Sequence, residues 1–247
     1  MAATKSYAEV AHCKGFDDFT DHPGRWRLRV QDREKEASCR DWKASSPFGS
    51  VESAVVVDDA GEPLFDRPIY REAPNVNCVV WGRDKDGVAK FAVIRQPRPH
   101  ADDPENPDSK RAVVFGQIVM GFLEKLVGKD MINRYESVAN GAAREAGEEA
   151  GAMVIKNIER PAYPWHNPNP TFVATWSELV FVEVDLEAIE AIKPDRHEPI
   201  FSAEYVTAAE LRQRIAEGRD SKDAVYRMCT ANSSWFIFFC CHPELFV

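Results

Sequence analysis

Residues 144 to 151, Arg-Glu-Ala-Gly-Glu-Glu-Ala-Gly, constrain this chain more than any other stretch, and they read as a short helix. Alanine favours the helix, the segment ends in Gly151, and three carboxylates stand on it. In helical spacing Glu145, Glu148 and Glu149 occupy i, i+3 and i+4 and project from one side. Such a cluster repels itself. A hard divalent cation such as Mg²⁺ removes the repulsion, because it takes oxygen ligands, needs only a few carboxylates and keeps positions for water and phosphate oxygens. The other reading of adjacent glutamates is a solvated charged face, and the surroundings decide between the two.

Glu136 stands eight positions before Arg144, and Gly121 closes an apolar run, Val113 to Met120. The segment Glu136-(seven residues)-Arg144-Glu145-Ala146-Gly147-Glu148-Glu149-Ala150-Gly151-Ala152 resembles the Nudix hydrolase signature, G-x5-E-x7-R-E-U-x-E-E-x-G-U, where U is apolar. Every fixed position from Glu136 onward is filled, although the apolar slots hold only Ala146 and Ala152. At the front, Gly121 to Glu136 is nine residues longer than that spacing, which places an insertion at Leu126 to Tyr135. The stretch Val119-Met120-Gly121-Phe122-Leu123-Glu124 looks like the strand and loop that precede the signature in relatives.

Within that family the chain is most similar to the ADP-ribose pyrophosphatase branch. Arg95-Gln96-Pro97-Arg98-Pro99 looks like the Q-Y-R motif of those enzymes, with Pro97 in place of the aromatic residue. A proline-containing stretch, Pro161 to Pro170, lies beyond the signature as in that branch. Gln117 stands where relatives usually carry glutamate, and Val119 replaces the proline of their L-P-A-G turn.

The resemblance implies metal-dependent hydrolysis of a nucleoside diphosphate linked to another moiety, with ADP-ribose or a related nucleotide sugar as substrate and Mg²⁺ (or Mn²⁺) as cofactor. By carry-over, Glu145 and Glu149 are the principal metal ligands, and Glu148 is a third ligand or the base. Arg144 belongs to the same catalytic set. One position from Glu145 it lies about 100° around the helix, so its expected role is support, pairing with Glu136 or another carboxylate. Gly121, Glu136 and Gly151 shape the motif. Relatives draw a further catalytic glutamate from a mobile loop after the later strands, and Lys193 to Pro199 fits that description with Glu198 as the candidate. His197 beside it reads as a surface histidine. Substrate-binding candidates are Arg98, Gln117 and Trp165, with Phe172 and Trp176 as further aromatic faces that equally suit core packing.

Composition agrees with a cytoplasmic enzyme. A chain of 247 residues, 44% hydrophobic and 29% charged, can bury a sizeable core. Its net charge of −9 argues against a nucleic-acid surface while permitting a small phosphorylated nucleotide. Six cysteines show no C-x-x-C spacing and read as free thiols in a reducing compartment. No apolar leader and no run of 18 apolar residues is present, so no membrane partner is expected. The cluster Trp235 to Cys241 reads as a core helix or a subunit contact.

The expected fold is α+β, a Nudix-type α/β/α sandwich around a mixed β-sheet, with a β-containing extension at residues 1–73 before a hydrolase domain at 74–247. In the extension, Ser53 to Val57 and Pro68 to Arg71 read as strands about the turn Asp58 to Gly61, and by resemblance the extension builds a homodimer. Asn77 to Trp81 and Val88 to Ile94 read as a hairpin about Arg83 to Gly87, and Ala101 to Lys110 as a polar insertion. Leu179 to Val184 is a further strand, Ala203 to Val206 a short one, and Thr207 caps a helix through Ala216 that stops at Gly218. Other diphosphatases acting on dinucleoside polyphosphates, coenzyme A or dinucleotides share the motif. A non-catalytic ligand-sensing module is the rival class, but no basic helix-turn-helix follows the motif and the glutamate set is intact.

Overall fold

The computed structural model describes residues 49–57, 63–98, 113–126, 135–166, 177–194, 198–220, 224–226 and 230–245. The chain divides into two compact units, Met1–Ala73 with Asn169–Thr175, and Pro74–Pro168 with Trp176–Val247. In the first, β1 (Gly49–Val57) and β2 (Pro63–Glu72) form an antiparallel hairpin from Gly49↔Glu72 inward. Both strands run longer than their apolar stretches predict, because the backbone ladder continues through Glu52 and Asp66, where alternation gives no signal. The turn Asp58 to Gly61 lies outside the described residues.

The second unit holds an eight-stranded mixed sheet. Its strands are β3 (Asn75–Arg83), β4 (Ala89–Arg98), β5 (Val113–Gln117), β6 (Val119–Phe122), β7 (Ile155–Glu159), β8 (Trp165–His166), β9 (Ser177–Val184) and β10 (Ser202–Thr207). The order β10-β4-β3-β9-β7 forms the spine; β5 adds to β4, β6 to β3 and β8 to β9. The β3–β9 pair is parallel and the other described pairs are antiparallel. The β3–β4 hairpin turns where the sequence predicts. Asp84 Oδ1 accepts the Asp86 and Val88 N–H groups, both at 3.0 Å, and Gly87 takes φ +78°.

The single apolar run at Val113 to Met120 is two strands with different partners, broken at Ile118. No turn residue marks the change. A run buried on both faces reads the same whichever neighbour it joins. Strand β7 escaped the sequence reading because an edge strand carrying Lys156, Asn157 and Glu159 lacks apolar alternation.

Among the described residues three helices cover the sheet: α1 (Val138–Ala150), α2 (Ala208–Glu217) and α3 (Thr230–Cys241). Val76, Cys78, Val80, Ala92, Ile94, Val180, Val182 and Val184 face Ala142, Ala146 and Ala150 of α1, whose small side chains let the helix lie close. On the opposite face Val79, Phe91, Leu179 and Phe181 pack against Leu211, Trp235 and Phe238 of the other helices. Phe238 sits edge-on to Phe91 and Phe181, with ring centroids 5.3 and 4.9 Å away. Thr207 and Glu210 form the capping box of α2, and Gly218 ends it at φ +72°. Helix α3 therefore belongs to the core, although Phe236 is 65% exposed. Among the described residues no helix is long and apolar enough to cross a membrane, and Cys78, Cys240 and Cys241 are free thiols.

Behind β4 lies a buried charge network. Arg95 pairs with Asp220 and, at 2.9 Å, with Glu204, while Arg214 reaches Glu204 at 3.0 Å. The hydrogen bond from Arg214, reinforced by Arg95, draws the Glu204 carboxyl down to about 2. The Tyr226 hydroxyl closes on Asp220 at 3.4 Å, and its ring lies on Gly116, where a Cβ would overlap it.

Candidate metal centre

Helix α1 starts earlier than the glutamate cluster alone indicates. Ser137 caps it by accepting the Asn140 N–H at 3.2 Å. At the other end Gly151 adopts φ +71°; its N–H reaches the Gly147 carbonyl at 3.2 Å and the Ala152 N–H reaches Ala146 at 3.1 Å. Gly151 also lies against the Glu190 carbonyl, where a Cβ would collide. From there residues 188–193 are stitched along the helix end. Glu190 N–H bonds Gly151 O at 2.9 Å, and Lys193 N–H bonds Glu148 O at 2.8 Å. The chain then returns at Glu198, tied by Ile200 N–H to Glu198 O at 2.8 Å and by Phe201 N–H to Arg95 O at 2.9 Å.

The consequence is a trio. Glu145 and Glu149, one turn apart and only 3% and 1% exposed, meet the half-buried Glu198, with one carboxylate oxygen of each within 4.8 Å of the others. These three residues could together hold a metal ion. Glu149 Oε2 also accepts the Met120 N–H at 3.1 Å, which orients it from β6.

Glu148 does not share that face equally. Its side chain is 39% exposed and turns to Arg144 at 3.1 Å, so helical spacing grouped three acids that the fold separates into two and one. Arg144 pairs with Glu136 and with two further carboxylates. It reaches Glu136 Oε1, at 2.7 Å, and Phe122 O, at 2.8 Å, and its other amino group holds Glu145 Oε1 at 2.8 Å as well as Glu148. Arginine is long enough to bridge to the loop while keeping one edge on its neighbours. Glu136 in turn accepts the Glu124 N–H at 2.8 Å and donates its own N–H to Glu124 O at 2.9 Å. Lys125 bridges Tyr135 beside them. The stretch between Lys125 and Tyr135 is thus closed at its base, and without residues 126–134 only five residues, 122–125 and 135, separate Gly121 from Glu136.

The reason for a glycine at position 121 lies far from it in sequence. A Cβ there would overlap the Glu145 carboxylate, so the strand position is kept bare to admit the acid. Gly121→Ala is expected to displace Glu145 and to cut any activity of this centre about a hundredfold, the cost of roughly 1 Å of misplacement. An unchanged circular-dichroism spectrum with retained activity would overturn that role for Gly121.

No protein-family model and no curated protein matches this chain. Burial pushes the Glu145 carboxyl up to about 7, Glu198 and Glu148 add to the rise, and Arg144 opposes it. Burial also raises the Cys78 thiol beneath α1, with Glu145 and Glu149 contributing. Acidic oxygens crowded out of water are the donor set that a hard divalent cation fits.

The remaining candidates fall elsewhere. Gln117 is buried and donates to Gln96 Oε1 at 2.8 Å. By strand register it shares the α1 face with Ile94. Arg98 ends β4 and Trp165 opens β8, but their side chains are outside the described set, as are residues Phe172, Trp176 and His197.

Proposed function

We propose that this chain is a metal-dependent hydrolase of the Nudix type, acting on a nucleoside diphosphate linked to a further moiety, with ADP-ribose or a related nucleotide sugar as substrate. The observation that carries the reading is the meeting of Glu198 with Glu145 and Glu149 across almost fifty residues of chain. The five-residue spacing of Gly121 and Glu136, once the bridged excursion is set aside, supports it by matching the motif. In this reading the helix-flanked mixed sheet is a Nudix α/β/α sandwich, and the unit before Pro74 forms a two-fold dimer.

Glu145 and Glu149 would hold Mg²⁺ or Mn²⁺, which when bound neutralises phosphate charge and acidifies water. The chain's own residues do the rest. Arg144 keeps Glu145 in place and ties it to the loop acid Glu136. Met120 N–H fixes the Glu149 carboxylate. Glu198, carried on a loop hung from the Arg95 carbonyl, accepts the proton of the attacking water at its carboxylate. Arg144 is thus a positioning residue, and Glu148 adds a further contact to it at 3.1 Å.

Phosphate release measured over ADP-ribose, nucleotide sugars, dinucleoside polyphosphates, coenzyme A and dinucleotides, with Mg²⁺ and Mn²⁺, tests the reaction class; no turnover of any of them would overturn it. Glu198→Gln is expected to lower kcat by about two orders of magnitude with little change in KM and to alter the acid limb of the pH–rate profile. Unchanged constants would assign the base to another acid.

A further inference from the structure

Strand register places a second charged feature in line with the metal centre. Gly121 pairs with Val76, and Val76 with Glu178, so all three share one row and one face of the sheet. Two strand spacings separate Gly121 from Glu178, about 10 Å. The next residues of the same parity on β9 are Val180, Val182 and Val184, all buried against α1. A carboxylate heads this valine series, in the row that begins at Gly121, the glycine over which Glu145 lies. Glu178 is only 4% exposed and pairs with Arg160, whose side chain remains 54% exposed. Arg160 leaves β7 into a turn fastened over β9, where Pro161 and Pro164 are buried and the Pro164 carbonyl accepts the Leu179 N–H at 2.8 Å.

We propose that Arg160, held by Glu178, is a substrate-binding residue that takes the phosphate or ribose oxygens lying beyond the metal-held phosphate. This deepens the diphosphate-hydrolase reading and rests on it. A guanidinium fixed on one edge by a buried carboxylate presents its other donors without first losing rotamer freedom, and its planar fork suits paired acceptor oxygens. Tyr163, three residues on and 72% exposed, offers a ring face for a base. Neutralising Glu178 would need only a positive charge, whereas holding oxygens in a set geometry needs the fork. The two roles therefore separate in one substitution.

The experiment titrates ADP, in the presence of Ca²⁺, into the full chain and into Arg160→Ala, Arg160→Lys and Lys156→Ala, with thermal melts of each. Arg160→Ala is expected to bind ADP about tenfold or more weakly. Arg160→Lys should recover the wild-type melting temperature while its ADP affinity stays several-fold down. Lys156→Ala, a surface cation paired with Asp185 at 3.3 Å, should bind as wild type. Equal ADP affinity in wild type and Arg160→Lys would overturn the proposal, as would wild type that binds no ADP. Turnover of a diphosphate with unchanged ADP affinity in Arg160→Ala removes this inference and leaves the hydrolase reading. Arg160-dependent ADP binding without turnover of any diphosphate does the reverse.

Discussion

Glu149→Gln is expected to leave the fold standing and to lower turnover by at least about a hundredfold. The amide keeps the shape of the side chain and still accepts the Met120 N–H, so β6 and α1 stay joined. What it loses is one of two buried carboxylate charges on the helix, and a few kcal/mol of transition-state stabilisation by a bound cation is worth that factor. A variant keeping more than about half the wild-type rate would sink the assignment. The same centre makes a second measurement informative. In the metal-free chain the Glu145 carboxyl sits at about 7, above the ordinary 4.5, so the folded state keeps a proton there that the unfolded state has lost. Its contribution to stability is full below about 4.5 and is lost as pH rises through about 7. A divalent cation replaces that proton. Mg²⁺ should therefore raise the melting temperature more at about pH 8 than at about pH 5, and Glu149→Gln should remove most of the difference. An equal rise at both pH values would count against Glu145 as a ligand.

Asp220→Ala is expected to be the most damaging single change to stability. Asp220 is buried against Arg95, which is itself only 4% exposed and has Glu204 as its other acidic partner. Breaking a buried pair from one side costs about 3 to 5 kcal/mol, because the remaining charge stays out of water. For a unit of this size that lowers the melting temperature by on the order of 10 °C. Replacing Arg95 and Asp220 together by Met and Leu should return most of the loss, since the Arg214–Glu204 pair at 3.0 Å remains balanced. A single variant that melts within about 2 °C of wild type would show that the network contributes little.

Much of the layout was legible where local chemistry dictates local shape. Thr207, Glu210 and Gly218 bracket α2, and Asp84 with Gly87 turns the β3–β4 hairpin. The acids of α1 share one helix, as their spacing implies, and Glu198, singled out by resemblance, lies beside two of them. What stayed hidden depends on contacts distant in sequence. Helical spacing cannot tell that Arg144 will engage Glu148 while Glu149 takes the Met120 N–H. Nothing near Gly121 announces that its missing side chain makes room for Glu145. Arg95 lies at the head of a stretch singled out in the sequence, yet its partner Asp220 is 125 positions away. The break at Ile118 is silent because both strands around it are apolar on the faces they bury.

The parallel pairing of β3 with β9 has a consequence for the order of assembly. It joins Asn75 to Ser177, a separation of 102 residues (177 − 75), so the centre of the sheet cannot close until the chain is largely synthesised. A nascent chain that has just finished α1 carries Glu145 and Glu149 but neither β9 nor Glu198. Closing so long a loop is slow, and domains form as their last strands emerge. The trio is therefore a late product of folding, and a cation bound across all three acids would report that the sheet has closed.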